Sequence, residues 1–221
     1  MVKREPVKYE LDLNRTAVIV VDMQNLFCTP TREGYVRETE NVVTKIDTLT
    51  SAARAVHVPI IFLRHVLRGD GSDSGSLRVN KPDIDETLKQ GTWNVEIIPE
   101  LTPVKGDIIV DKPFFGGFTG TDLDTILRGN GIDTVIISGT VTNVCCETTA
   151  RQAVEKGYKV VFLSDGNASR DKEDVGWGSF SANVSHRLTL TTLASTFGCQ
   201  VSPTDLVVKE LYQINDMTVS T

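Results

Sequence analysis

Three side chains that together could carry out nucleophilic catalysis each stand at the end of an apolar run. Asp22 closes the first run, Lys112 follows the third and Cys145 follows the fourth. A thiol near its usual pKa of about 8.5 is mostly protonated at neutral pH, so it needs a base. A carboxylate can accept its proton, a cation can hold the thiolate, and the resulting carboxylic acid can protonate a departing amine. These residue types therefore predict a cysteine nucleophile with a carboxylate base.

The elements that position these residues follow a strand–helix alternation. Runs typical of buried strands lie at 16–22, 58–63, 107–111, 134–138, 159–163 and 200–201, and helical patterns at about 38–55, 121–128, 144–156 and 181–197. Such alternation with short links predicts a parallel sheet covered by helices on both faces. We predict one α/β domain over 1–221, a three-layer αβα sandwich with a doubly wound, mostly parallel six-stranded, Rossmann-like sheet. Because the carboxyl ends of parallel strands share one edge, the three side chains should converge there.

Cys145 lies where the fourth strand gives way to a helix. The unpaired N–H groups and the macrodipole of a helix N-terminus favour a thiolate, which predicts a lowered pKa for this cysteine. The adjacent Cys146 is an alternative that spacing alone leaves open. Taken singly, each residue also has an ordinary interpretation: an acid as a helix cap, a lysine in solvent, a cysteine as a small core residue. The joint placement favours catalysis.

The composition excludes several classes of protein. The 221 residues carry a net charge of −6 with lysines and arginines scattered among acids, which argues against a nucleic-acid partner. No apolar run approaches the roughly 18 residues of a membrane span, and no export signal is recognisable at the start. The cysteines follow neither a disulfide framework nor a zinc motif; they are Cys28, Cys145, Cys146 and Cys199. We therefore expect reduced thiols and a cytoplasmic location.

Several segments resemble the isochorismatase-like cysteine hydrolases, over a range from about residue 16 to the end of the 181–197 helix. The matching segments are Val20–Phe27, Asp111–Phe118 and Gly139–Cys145, continued by Glu147–Ala153 and by Gly157 to Asp165. The resemblance implies the isochorismatase-like hydrolase fold and a catalytic triad of Asp22, Lys112 and Cys145. The register of the motif selects Cys145 over Cys146.

The same resemblance implies an oxyanion hole beside the nucleophile. It places a non-proline cis peptide between Val141 and Thr142 and assigns the backbone N–H groups of Thr142 and Cys145 to the oxyanion. Removal of one such donor typically slows an enzyme about 10²–10³-fold. Family members are commonly oligomeric, so the resemblance also implies a homo-oligomer, either a dimer or a tetramer.

The missing metal motif and the presence of the cysteine indicate which branch of the family the chain resembles. Nicotinamidases carry an Asp-x-His metal motif soon after the second strand, where this chain has Arg64-His65-Val66, and no two of its three histidines have metal-ligand spacing. We therefore predict no metal and no cofactor. Isochorismatases proper hydrolyse a vinyl ether and lack the cysteine. The prediction is a metal-independent amidohydrolase acting through a thioester on a small linear amide or ureide and releasing ammonia, similar to N-carbamoylsarcosine amidase and ureidoacrylate amidohydrolase.

Three alternatives stay open: a nicotinamidase-like amidase, a vinyl-ether hydrolase that uses Asp22 without the thiol, and a non-catalytic binding protein. Specificity should come from loops at the same edge of the sheet. Candidates for substrate binding by position are Gln24, Phe27, Arg64, Asn80, Trp93, Asn94, Phe115 and Phe118. Arg64 or Arg78 could hold a substrate carboxylate bidentately, although a solvated arginine is the ordinary alternative.

Overall fold

A computed structural model describes residues 5–219 of the chain and shows a single six-stranded sheet. Its strands are β1 (Thr16–Val21), β2 (Ile60–His65), β3 (Ile108–Lys112), β4 (Thr134–Thr140), β5 (Lys159–Ala168) and β6 (Gln200–Ser202). The strand order is β3-β2-β1-β4-β5-β6, and all five strand pairs are parallel. The predicted fold class is confirmed. The first four residues, which belong to the segment searched for an export signal, lie outside the described range.

Helices cover the sheet on both faces. They are α1 (Asn25–Cys28), α2 (Thr39–Ala55), α3 (Leu77–Asn80), α4 (Ile84–Thr87), α5 (Leu123–Gly129), α6 (Glu147–Glu155), α7 (Ala182–Ser195) and α8 (Thr204–Val219). Apolar residues of α2 and α8 form one core with alternate residues of the strands, whereas α5, α6 and α7 form the other. Alternate residues of one strand therefore face two cores, as a buried parallel strand requires. Within residues 5–219, no helix has the length and apolar content needed to cross a membrane.

Some element bounds differ from the sequence-based predictions. The helix predicted from residue 144 begins at Glu147, because the chain first makes a wider helical turn over Thr142–Cys146. The helix predicted from residue 121 begins at Leu123, with Asp122 at the N-cap position, and the Thr121 hydroxyl donates to the Gly117 carbonyl. Helix α8 was not predicted at all, although Val207 and Leu211, one helical turn apart, are fully buried against α2 and the sheet.

The strand order reverses between β1 and β4, which places a crevice at their carboxyl ends. The two strands approach each other closely at this point. Gly139 pairs with Val21 and has a φ of 127°, and a Cβ on it would collide with the Val21 carbonyl oxygen. Only glycine fits here. The close approach brings the residues that follow β1 next to those that follow β4.

Candidate active site

The carboxylate that follows β1 and the ammonium that ends β3 form a buried ion pair. Lys112 Nζ lies 2.9 Å from Asp22 Oδ2 and 3.0 Å from the Phe114 carbonyl oxygen. The two charged side chains are 0% and 1% exposed, so the pair is shielded from water. Asp22 has a φ of 51°, a left-handed conformation that aspartate tolerates better than most residues. The tight turn after β1 thus directs the carboxylate back over the edge of the sheet.

The Cys145 thiol meets the same carboxylate from the β4 side. Its Sγ, a carboxylate oxygen of Asp22 and a ring nitrogen of His65 all lie within 4.8 Å of one another, and all three residues are buried. Lys112 binds the Oδ2 oxygen of Asp22. The other carboxylate oxygen, Oδ1, is buried and has no hydrogen bond of normal geometry in residues 5–219. Donation by the thiol to the carboxylate is among the influences that lower the pKa of Asp22. The thiol proton therefore has an acceptor next to it.

The protonation of Cys145 differs from the sequence-based prediction. Burial, followed by the negative charge of Asp22, raises the pKa of the thiol far above its usual value, and Lys112 offsets only part of this. The helix N-terminus does not outweigh burial, because a thiolate without water loses most of its solvation. The resting group is therefore a thiol, and it needs a base at the moment of attack.

The ion pair supplies such a base. Burial raises the pKa of Asp22 above its ordinary value, although Lys112 acts in the opposite direction. For Lys112, burial is the largest single influence and acts to lower the pKa, but the charge and hydrogen bond of Asp22 together with the two nearby cysteines outweigh it, so the net direction of the pKa is upward. A carboxylate with a raised pKa accepts a proton more readily than an ordinary one. The pair thus consists of a strengthened base and a cation that stays charged.

A fourth residue, His65, completes the row of strand ends, and sequence analysis missed it. In the order β3-β2-β1-β4, the strand ends deliver Lys112, His65, Asp22 and the Cys145 segment in turn. His65 Nε2 lies 3.3 Å from the Pro113 carbonyl oxygen, which can only accept, so Nε2 carries the proton and Nδ1 is bare. Burial and the charge of Lys112 hold the pKa of His65 well below its usual value. His65 is therefore an uncharged imidazole that packs beside the triad.

The lowered pKa of His65 predicts a pH-dependent stability. The unfolded chain protonates this histidine below about pH 6.5 while the folded chain does not, so the free energy of unfolding falls on acidification. Between about pH 6 and 5, we expect the free energy of unfolding to change less steeply with pH in His65→Gln than in the wild type. The difference in slope should be up to about 1.4 kcal/mol per pH unit. Denaturant unfolding at several pH values measures it. The exposed His57, replaced by Asn, is the control; equal slopes in wild type and His65→Gln would refute the argument.

The segment before Cys145 contains the cis peptide, one residue earlier than predicted. The bond lies between Thr140 and Val141, not between Val141 and Thr142, because β4 ends at Thr140 and Thr142 already belongs to the following helical turn. The Val141 carbonyl accepts the N–H groups of Val144 and Cys146 at 3.0 and 3.3 Å. Those two donors are committed to the turn. The N–H groups of Thr142 and Cys145 remain the predicted oxyanion donors.

A histidine of α7, which is bonded to the backbone of β5, and the serine that follows β5 hold this segment in place. Both ring nitrogens of His186 form hydrogen bonds. Nε2 lies 2.9 Å from the Ser164 carbonyl oxygen, and Nδ1 lies 3.0 Å from Thr142 Oγ1. Since the carbonyl can only accept, Nε2 donates to it, and Nδ1 is the ring nitrogen that pairs with the Thr142 hydroxyl. On the other side, Ser169 Oγ donates to Asn143 Oδ1 at 2.9 Å. The turn that carries Cys145 is therefore fixed from two directions.

Two of the predicted substrate-binding residues have other roles. Gln24 is completely buried, and its amide donates to the His65 and Val95 carbonyls while its oxygen accepts the His65 N–H. Its hydrogen-bonding groups are thus used within the fold. Arg64 makes a bidentate pair with Asp111 at 2.8 and 3.0 Å and a further contact with Glu96. Its charge is already neutralised, which argues against a role in holding a substrate carboxylate.

The four aromatic candidates lie in different places. Phe115 is partly exposed and stacks edge-on against His65, with ring centroids 6.0 Å apart, so it lies beside the triad. Trp93 is half exposed and lies under Arg32. Phe27 is half-buried and packs against the core. Phe118 packs near Tyr158, which directly precedes β5. Tyr158 therefore lies at the amino-terminal ends of the strands, so Phe118 lies away from the site at their carboxyl ends.

Two of the remaining polar candidates, Asn94 and Arg78, also bond within the fold. The Asn94 amide donates to the Thr87 carbonyl, and Arg78 pairs with Asp85. Asn80 ends the short helix α3. The long segment between β2 and β3 is thus stabilised by hydrogen bonds and ion pairs among its own residues.

Asp22, His65 and Cys145 form the only close group of three potential metal ligands among residues 5–219. Their mixed oxygen, nitrogen and sulfur donors would suit zinc. However, the Asp22 carboxylate already binds the Lys112 ammonium, whose positive charge would repel a metal ion at the same place. The donor set thus fits proton transfer better than cation binding.

Comparison with known proteins agrees with this geometry. The profile of the Isochorismatase domain matches residues 16–192. Ureidoacrylate amidohydrolase RutB of Methylobacterium radiotolerans is 30% identical over 212 residues, covering 87% of this chain and 78% of that protein. RutB of a Methylorubrum extorquens strain is 34% identical over 182 residues, covering 73% and 72%.

Solved structures give the same result. A cysteine hydrolase from Pseudomonas syringae pv. phaseolicola superposes with a TM-score of 0.94 at 48% identity, covering 96% of this chain and 99% of that one. N-carbamoylsarcosine amidase from Thermoplasma acidophilum superposes with a TM-score of 0.70 at 26% identity, covering 86% and 97%. The chain belongs to the isochorismatase family. As a member of that family it is a hydrolase.

Proposed function

We propose that this protein is a metal-independent cysteine amidohydrolase that cleaves the C–N bond of a small linear amide or ureide. The observation that carries the proposal is the convergence of the Cys145 thiol, the Asp22 carboxylate and the Lys112 ammonium in one buried cluster. The names of the similar proteins, ureidoacrylate amidohydrolase and N-carbamoylsarcosine amidase, support the same reaction class. Cys145 favours an amidase over a vinyl-ether hydrolase, which would not need the thiol.

In the first half-reaction, Asp22 removes the thiol proton while Cys145 Sγ attacks the substrate carbonyl carbon. The carbonyl π electrons move to oxygen, and the oxyanion is held by the N–H groups of Thr142 and Cys145. When the carbonyl re-forms, the C–N bond breaks and protonated Asp22 gives its proton to the leaving nitrogen, which departs as ammonia. A thioester on Cys145 remains. Lys112 keeps the carboxylate in place and stabilises its charged form throughout.

In the second half-reaction, water replaces ammonia. Asp22, again a carboxylate, removes a proton from the water as its oxygen attacks the thioester carbonyl. Collapse of the second tetrahedral intermediate breaks the C–S bond, and Asp22 returns the proton to the sulfur. The product is the carboxylic or carbamic acid, and the thiol is restored. One carboxylate thus serves as base and acid twice, which its raised pKa favours.

We also propose that one domain spans the chain, that the protein forms a homo-oligomer and that it acts in the cytoplasm. The family resemblance supports the first two. Large apolar side chains that face solvent in the single chain, including Val175, Trp177 and Leu188, further support association. The four cysteines, which are all free thiols, support the third.

An ammonia-release assay tests the proposed reaction. We expect the purified protein to release ammonia from at least one member of a panel containing ureidoacrylate, N-carbamoylsarcosine, other carbamoyl amino acids, biuret and nicotinamide. A chelator should change the rate less than about twofold, because no step requires a Lewis acid. Activity that is lost to the chelator and restored by Zn²⁺ would contradict the metal-independent mechanism. Release from nicotinamide alone would instead favour the nicotinamidase-like alternative.

A further inference from the structure

The imidazole of His65 is held in one orientation at the end of β2. The backbone N–H of His65 donates to Gln24 Oε1 at 2.8 Å, and its carbonyl accepts from the Gln24 amide at 3.0 Å. The ring packs edge-on against Phe115 and is bonded through Nε2 to the Pro113 carbonyl. Since the residue is also 4% exposed, its ring has little freedom to move. The fold therefore sets the position of the imidazole before any substrate binds.

One nitrogen of this ring remains available to a ligand. Nε2 donates to Pro113, and no group within residues 5–219 hydrogen-bonds Nδ1. Burial and the positive charge of Lys112 hold the pKa of His65 well below its usual value, so the ring is uncharged near neutral pH. An unprotonated imidazole nitrogen can only accept a hydrogen bond. The partner that suits Nδ1 is therefore an N–H or O–H donor.

The distance between the ring and the nucleophile leaves room for one reacting nitrogen. A ring nitrogen of His65, a carboxylate oxygen of Asp22 and Cys145 Sγ all lie within 4.8 Å of one another. In a tetrahedral adduct the leaving nitrogen is two bonds away from sulfur, and a hydrogen bond of about 2.9 Å spans the remaining distance to an acceptor. A nitrogen at this place has the proton of Asp22 on one side and the imidazole on the other.

We propose that His65 accepts a hydrogen bond from an N–H of the leaving nitrogen and so orients that nitrogen toward Asp22. The inference rests on the proposed function, because it takes the broken bond to be C–N, and it assigns a residue to the leaving group. With one N–H held by the imidazole, the lone pair of the nitrogen points toward the proton on Asp22. Asp22 transfers that proton as the C–N bond breaks and ammonia departs, while His65 neither gains nor loses a proton.

This hydrogen bond distinguishes amides from esters. An N–H becomes a better donor as its nitrogen gains a proton, so the bond to His65 is stronger in the transition state than in the bound substrate. Its loss should therefore lower kcat more than it raises KM. The leaving oxygen of an ester carries no hydrogen, so an ester cannot use the imidazole in this way.

Two amide replacements of His65 separate the roles of its ring nitrogens. In His65→Asn the side-chain oxygen takes the place of Nδ1, and in His65→Gln the side-chain nitrogen takes the place of Nε2 and can still donate to Pro113. On the best amide of the ammonia-release panel, His65→Gln should lower kcat about 5–20-fold, and His65→Asn should stay within about threefold of the wild type. Circular dichroism checks that both variants fold.

An ester supplies the matched readout. For p-nitrophenyl acetate, kcat/KM for p-nitrophenol release reports attack by Cys145 and should change less than about twofold in both variants. The exposed His57, replaced by Asn, is the control and should alter neither reaction. Equal losses on amide and ester would overturn the proposal, because His65 would then act on the thiol or on the fold. Activity retained by His65→Gln but lost in His65→Asn would also overturn it, because the bond to Pro113 would then be the one that matters.

The reverse of the bond-breaking step tests His65 without an amide substrate. The acetyl group that p-nitrophenyl acetate leaves on Cys145 can pass to hydroxylamine, which keeps an N–H after giving one proton to Asp22, or to methanol, which keeps none. With the rates in Cys145→Ala subtracted, His65→Gln should lower the ratio of acetohydroxamate to methyl acetate about 5–20-fold. An unchanged ratio refutes the role of His65.

The two proposals can fail separately. If the wild type releases ammonia from no amide of the panel but the product ratio falls in His65→Gln, the proposed function fails and the role of His65 stands. If amides are hydrolysed and the ratio does not fall, the reverse holds. A wild type that is not acetylated at Cys145 would overturn both.

Discussion

Replacing Cys145 with alanine is expected to reduce kcat by at least about 10⁴-fold, while replacing Cys146 with alanine leaves it within about threefold. The two thiols are neighbours, but only Cys145 Sγ belongs to the group formed with Asp22 and His65. Cys146 is fully buried in the core between the sheet and α6, and burial raises its pKa well above the usual value. The pair therefore offers a matched comparison of two adjacent cysteines.

The physical reason for the large effect is that the covalent step has no substitute. Without sulfur, water would have to attack the amide directly, and Asp22 and the N–H groups of the turn would supply only base and electrostatic assistance. Cys146→Ala removes one buried sulfur and should cost about 1 kcal/mol of stability through the small cavity it leaves. Circular dichroism and denaturant unfolding check that both variants fold.

Two measurements decide this prediction. Steady-state ammonia release gives kcat for each variant, and mass spectrometry of quenched wild-type reactions should show the acyl group on the peptide that contains Cys145. Substantial turnover by Cys145→Ala would favour chemistry that uses Asp22 without the thiol, as in the vinyl-ether alternative. An acyl group on Cys146 would instead reverse the assignment of the nucleophile.

Strand ends were the part of the site that sequence could predict. An apolar run fixes where a buried strand stops, and parallel strands stop at the same edge, so Asp22 and Lys112 could be placed together from the sequence alone. His65 was missed because its strand continues two residues beyond the predicted end, to His65 itself. A prediction of the strand order would have found it, since β2 lies between β1 and β3.

Interactions between distant side chains were the part that sequence could not predict. Arg64 fits a carboxylate-binding site by residue type, yet Asp111 on the neighbouring strand lies beside it in the register of the sheet. Gln24 fits a polar site, but the fold uses it to join the turn after β1 to β2. The pKa of Cys145 was predicted in the wrong direction because burial, a tertiary property, outweighs the local effect of the helix N-terminus.

Lys112→Met is expected to lower the free energy of unfolding by about 3–5 kcal/mol near pH 7.5, because it leaves the buried Asp22 carboxylate without its cation. Asp22→Asn should destabilise the protein similarly by leaving the Lys112 ammonium unpaired. Asparagine is the suitable replacement, since it tolerates the left-handed backbone at this position. Both variants should lose at least about 10³-fold in kcat, because each removes the base or the cation that keeps it charged.

The double variant Asp22→Asn, Lys112→Met separates the two roles of the pair. It removes both buried charges together, so its stability should return to within about 1–2 kcal/mol of the wild type while its activity stays lost. Denaturant unfolding of the four proteins gives the coupling energy between the two side chains. A double variant less stable than both single variants would show that the side chains contribute independently, through packing and not through their charges.

The pH dependence of the stability of Lys112→Met tests whether the unpaired charge of Asp22 causes its loss of stability. Lys112 acts to lower the pKa of Asp22, so its removal raises that pKa further above the unfolded value of about 3.9. Between those two values the folded state binds more protons than the unfolded state, and stability therefore falls as the pH rises. The deficit of Lys112→Met relative to the wild type should thus shrink on acidification toward about pH 5 and be largest above neutrality. A deficit that does not change with pH would mean that the charge of Asp22 is not its cause, and that lost packing and the lost hydrogen bond from Lys112 to the Phe114 carbonyl explain it instead.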